Sequence, residues 1–78
     1  MLTPETVKSY IEEGLACEFV DVKGDGQHFE AVIVSEVFEG KNTLKQHQIV
    51  YEALGDKMRT EIHALSMRTF TPEKRKST

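Results

Sequence analysis

Residues 28–37 read His-Phe-Glu-Ala-Val-Ile-Val-Ser-Glu-Val, and the run Val32-Ile33-Val34 at their centre is apolar on both sides of an extended chain. A run so rich in β-branched residues favours a strand. A strand apolar on both faces belongs in the middle of its sheet. The chain has 78 residues, enough for one small domain, so every other segment has to be arranged around this strand.

The preceding residues supply its first neighbour. Glu18 to Lys23 alternates, with Val20 and Val22 on one side and Phe19 and Asp21 on the other, the period of a half-buried strand. Gly24-Asp25-Gly26 is a turn, so the two strands form an antiparallel hairpin. Ahead of them, Thr3-Pro4-Glu5 starts a helix, with Val7, Tyr10 and Ile11 as its apolar stripe. Gly14 is expected to end that helix through a left-handed cap.

Beyond the central strand, Phe38-Glu39-Gly40-Lys41 breaks the extended run. Asn42 or Thr43 can cap a second helix whose stripe is Leu44, His47, Val50, Tyr51 and Leu54. Gly55 closes it, and Asp56 is placed to cap a short third helix, Lys57 to Thr60. Ile62 to Thr69 alternates again, with His63, Leu65 and Met67 on one side, and Pro72 ends this third strand. The expected domain is 1–73, followed by a polar tail at 74–78. The order α-β-β-α-α-β puts a helical crossover between strands two and three, which makes them parallel with a right-handed connection. The expected class is α+β: a three-stranded mixed sheet with helices packed on one face, as in the class II K-homology fold.

Composition narrows the function. Charged residues are 29% of the chain and hydrophobic residues 38%, a globular balance. No apolar run approaches the roughly 18–20 residues of a membrane span, and the first residues do not read as a secretory leader. Cys17 is the one cysteine, so no disulfide framework is available and a reducing, cytoplasmic setting is expected. Net charge is −3, divided into −7 over residues 1–39 and +4 over residues 40–78. The cations Lys41, Lys45, Lys57 and Arg59 are either a solvated helix surface or a face for a partner or nucleic acid.

No nucleophile, base and orienting group stand in any recognisable arrangement, so an enzyme is not expected. Gly24-x-Gly26 leads into a strand rather than a helix and is no phosphate cradle. Cys17 reads as a small half-core residue. His47 lies mid-helix. His28 stands where the hairpin loop enters strand two, and His63 begins strand three. Parallel pairing of those strands would bring both histidines to one rim, although they are 35 residues apart. Two imidazoles make half of a metal site, with the remaining ligands supplied from elsewhere.

Several segments in this order resemble the BolA family: Val34-Ser35-Glu36-Val37-Phe38-Glu39-Gly40-Lys41, Gln46-His47-Gln48-Ile49-Val50-Tyr51-Glu52-Ala53-Leu54, Ile62-His63-Ala64-Leu65-Ser66-Met67 and Thr71-Pro72-Glu73. The hairpin Val22-Lys23-Gly24-Asp25-Gly26-Gln27-His28-Phe29 is most similar to the YrbA/IbaG-like branch. The resemblance implies the fold reached above. It also implies a partner, a monothiol glutaredoxin with a Cys-Gly-Phe-Ser motif, and a labile [2Fe-2S] cluster held between the two proteins with glutathione. The family's ligands map onto His63 and, in the hairpin loop, His28. Cys17 precedes the first strand and fits that pattern poorly. Replacing thiolates by imidazoles raises a cluster's potential, and protonation of those imidazoles releases it.

Two departures stand out. Gln46-His47-Gln48 replaces a commonly basic Arg-His-Arg, and Lys74 stands where a Trp is usual. The alternative function is a DNA-binding transcriptional regulator using the basic second half. A Gly-x-x-Gly backbone clamp is not matched, since Gly55-Asp56-Lys57-Met58 lacks its second glycine. A weak homodimer is the remaining candidate assembly.

Overall fold

The computed structural model describes residues 2–76. They form α1 (Pro4–Gly14), β1 (Phe19–Gly24), β2 (His28–Val34), a 3-10 turn (Glu36–Phe38), α2 (Thr43–Leu54), α3 (Lys57–Thr60), β3 (Ala64–Phe70) and α4 (Pro72–Lys76). The sheet order is β1-β2-β3, with β1 antiparallel and β3 parallel to β2. The doubly apolar strand is therefore central, and the class is the expected α+β.

Alternation decides which face is covered. Phe29, Ala31 and Ile33 of β2 point with Val20 and Val22 of β1 into a core closed by Val7 and Ile11 of α1 and Val50 and Leu54 of α2. Phe38 and Ile62 seal it, at 0% and 3% exposure. The opposite face carries Asp21, Lys23, Glu30, Ser66 and Arg68, all exposed. Asn42 caps α2 by accepting from the Lys45 N–H at 2.9 Å, and Gly55 ends it at a φ of 57°, the left-handed region that favours glycine. No helix among the described residues is long and apolar enough to cross a membrane.

Several boundaries and one helix cap differ from expectation. β2 stops at Val34 rather than Val37 because Ser35 turns inward. Its hydroxyl, 1% exposed as a residue, donates to the Ala16 carbonyl and accepts from the Val37 N–H, which opens the 3-10 turn. Ser35→Ala leaves that carbonyl and that N–H without their partner, at a cost of about 1–3 kcal/mol. The expected readout is a lower urea midpoint at an unchanged m-value.

Gly14 is not in the left-handed region, and Leu15 follows it extended at a φ of −150°. The glycine is needed for proximity instead: a Cβ there would strike the backbone carbonyl of Ala53, so it lets α1 and α2 touch. β3 begins at Ala64, after His63 rather than at Ile62, and runs to Phe70. Residues 72–76 form α4, which takes in the first three residues of the segment read as a polar tail; residues 77 and 78 lie outside the described ones.

The stripe read for α2 overshoots the buried line. Val50 and Leu54 are buried, whereas Leu44 and Tyr51 are 67% and 42% exposed. Asp56 makes no side-chain cap on α3; its carboxylate takes the Arg59 guanidinium at 3.0 Å.

Candidate metal-ligating site

The parallel register sets His28 opposite Ala64, so His63 sits one residue before the strand at the same rim. The Ala64 N–H donates to the Gln27 carbonyl at 3.1 Å, fastening the two strand starts. Burial sets the rest. Phe29 and Ile62, the inward neighbours of the two histidines, are 1% and 3% exposed, while both histidines lie exposed. Their ring centroids are 6.2 Å apart and the rings stand edge to face at 84°. Two imidazoles sharing one tetrahedral ion through bonds of about 2 Å have centroids roughly 5 Å apart. A closure of about 1 Å, within the reach of exposed rotamers, brings this pair to that geometry. The donor set thus fits half a coordination sphere, and no group of three or more His, Cys, Asp or Glu able to hold a metal occurs among the described residues.

Asp25 organises the loop that carries His28. Its carboxylate accepts from the backbone N–H groups of His28 and Gln27, each at 2.9 Å. Those two bonds, that from His28 first, hold its pKa below the ordinary carboxylate value. The unfolded chain lacks them, so their contribution is complete above the ordinary carboxylate range and disappears as pH falls through the depressed folded value. In the isolated protein, acidification through that window should shift the amide resonances of Gln27 and His28 together. Asp25→Asn keeps an accepting oxygen and should abolish the titration while preserving the turn; Asp25→Ala should broaden both resonances at neutral pH.

A second tether holds the segment before His63. The Tyr10 hydroxyl donates to Glu61 at 2.7 Å, and the Lys57 ammonium lies 4.8 Å from the centre of the Tyr10 ring. The carboxylate partner and its charge raise the Tyr10 pKa. Neither Asp25 nor Tyr10 was visible as part of the site in sequence. The aspartate's spacing from the strand start was the available signal, since Asp side chains accept from N–H groups two and three residues on.

The other candidates lie elsewhere. Cys17 precedes β1, whose first residue pairs with Val34, at the end of the sheet opposite to His28. Six strand steps separate the two ends, roughly 20 Å. The Cys17 thiol is half-buried and donates to the Leu15 carbonyl at 3.3 Å; burial, then the nearby Glu12 charge, raises its pKa. His47 is half-buried on α2. The four cations do not converge: Lys41 and Lys45 flank the start of α2, while Lys57 and Arg59 follow its end, twelve residues on or about 18 Å. Of these, Lys57 leans on Tyr10 and Arg59 on Asp56, whereas both α3 cations belong to the segment leading into His63.

Residues 6–74 match the family model described as "BolA-like protein". The chain belongs to the BolA family. It is 36% identical over 67 residues to the Escherichia coli K12 acid stress protein IbaG, covering 85% of this chain and 80% of that one. It is 38% identical over 48 residues to the E. coli K12 DNA-binding transcriptional regulator BolA, covering 62% of this chain and 46% of the relative. A solved BolA homologue from Coxiella burnetii superposes with a TM-score of 0.92 at 45% identity, over 97% of this chain and 99% of that one. The BolA assignment read from the separate segments thus extends across the domain, with IbaG among its relatives.

Proposed function

We propose that this BolA-family chain is a non-enzymatic, cytoplasmic partner protein that completes an iron–sulfur site. His63 and His28 would supply two ligands to a labile [2Fe-2S] cluster, with the others coming from a monothiol glutaredoxin and glutathione. The observation that carries the reading is the convergence of two exposed imidazoles, 6.2 Å apart, on one rim. A pair with no third ligand beside it suits a metal delivered with thiolates already attached. The bound cluster would supply reversible electron storage and exchangeable iron. The chain's own contribution is neutral nitrogen ligation, which protonation withdraws. Such a site suits trafficking, or sensing of iron, redox state or acid. The acid-stress name of its relative IbaG agrees with the last of these. Lys57 and Arg59, on the segment leading into His63, are the docking cations best situated for a partner held at that rim, and Lys41 and Lys45 lie farther away.

Mixing the protein with a monothiol glutaredoxin, glutathione, ferrous iron and sulfide should give a visible absorption and circular dichroism spectrum distinct from that of glutaredoxin alone. An identical spectrum with and without this chain would refute the reading. DNA contact is a second reading, supported by the name of the E. coli regulator and by the same four cations. Its signature is affinity that falls steeply with salt.

A further inference from the structure

We infer that the free edge of β3, together with the outer flank of α2, is a self-recognition surface through which two copies of this chain pair about a two-fold axis. The inference is independent of the iron–sulfur reading.

The backbone supplies the first half of the argument. The Ala64 N–H reaches the Gln27 carbonyl at 3.1 Å, and the Phe70 carbonyl accepts from the Ser35 N–H at 3.0 Å. Even-numbered residues of β3 therefore turn their peptide groups toward β2, and Leu65, Met67 and Thr69 turn theirs outward. Among the described residues, no strand lies on that side. The other sheet edge is guarded: β1 carries Asp21 and Lys23 and is preceded by Glu18, charges of the kind that discourage edge pairing. β3 has one charge, Arg68, and no proline.

The register is selective. Antiparallel pairing centred on Met67 matches all seven residues of β3 and faces the outward groups of Leu65, Met67 and Thr69 with those of Thr69, Met67 and Leu65 in the second copy. It sets Ala64 opposite Phe70 and Ser66 opposite Arg68. Sliding by one pair in one direction sets Arg68 against its own copy, and in the other it leaves Thr69 and Phe70 without partners.

The helix layer supplies the second half. α1 packs on β1 and α2 on β3, and the Ala53 flank of α2 meets α1 at Gly14. The flank of α2 turned away from α1 therefore overhangs the β3 edge. Leu44 and Tyr51, two turns apart on it, are the 67% and 42% exposed apolar residues of that helix. A two-fold axis would lay Leu44 beside Tyr51 of the second copy. One seven-residue strand edge and two exposed apolar side chains offer little beside the roughly 800 Å² per partner of a standard stable interface, so the expected dimer is weak and concentration-dependent. The two histidine rims end up at opposite ends of the paired strands, free of the contact.

Sedimentation equilibrium from low micromolar to millimolar protein tests this. Ser66→Glu adds two attractions to Arg68 per dimer and should tighten association; Ser66→Lys adds two repulsions and should weaken it, each by several-fold to about tenfold. Within one chain Ser66 lies beside Glu30, so monomer stability should move the opposite way in both variants. Leu44→Asp should weaken association with no loss in thermal midpoint. Amide exchange at Leu65, Met67 and Thr69 should slow as concentration rises. A monomer throughout the range would overturn the proposal and leave the edge to a different chain. Equal association of the two Ser66 variants, or protection gained along β1 instead, would overturn it as well.

Discussion

Replacing His63 by alanine is expected to abolish the spectrum of the mixed iron–sulfur complex while leaving the fold intact. The side chain is exposed, whereas the structural duties nearby belong to buried Ile62 and to the bond from Ala64 to Gln27. The thermal midpoint should therefore stay within a few degrees, as for other surface substitutions. His28→Ala should also remove or strongly alter the mixed spectrum, since one remaining imidazole leaves an iron short of a ligand. Cys17→Ala should leave it unchanged, because that thiol is already bonded to Leu15 at the far end of the sheet. An unchanged spectrum in both histidine variants would remove the ligand assignment. Loss in His63→Ala alone would point to a ligand from outside this chain, the distance of Cys17 making it a poor substitute.

Phe29→Ala should produce the largest loss of stability. The ring is 1% exposed, pairs across the sheet with Gly24 and Leu65, and occupies the space that a Cβ on Gly24 would need. Truncating a buried phenylalanine costs about 3–5 kcal/mol. In a domain of this size each kcal/mol moves the thermal midpoint by about 4–8 °C, so a fall of roughly 12 °C or more is expected. The site would suffer with the fold: His28 faces outward because its neighbour is fixed inward. A melt within 3 °C of the parent protein would contradict this account of the core.

The topology was legible because its signals are periodic. Val20 and Val22, then Phe29 to Val34, then Leu65 and Met67 alternate over enough residues to define strands, and two intervening helices leave the last strand little choice but to run parallel. That same order brings His28 and His63 to one rim. What escaped reading depends on contacts distant in sequence. Gly14 looks like a helix stop and is in fact a contact point for Ala53. Ser35 looks like a strand residue until its hydroxyl finds the Ala16 carbonyl. Leu44 and Tyr51 fit the helical period, yet α2 is covered along a narrower line than the period allows. At the rim, residue type was legible and support was not: nothing local announces that Tyr10 ties down Glu61.

The fastening of β3 to the hairpin has a consequence for biosynthesis. His28 leaves the ribosome well before His63, and the two meet only when the last strand docks and Ala64 grips Gln27. A nascent or truncated chain can offer one imidazole but not the pair. Any metal grip that needs both imidazoles is therefore withheld until β3 has been made and docked against β2.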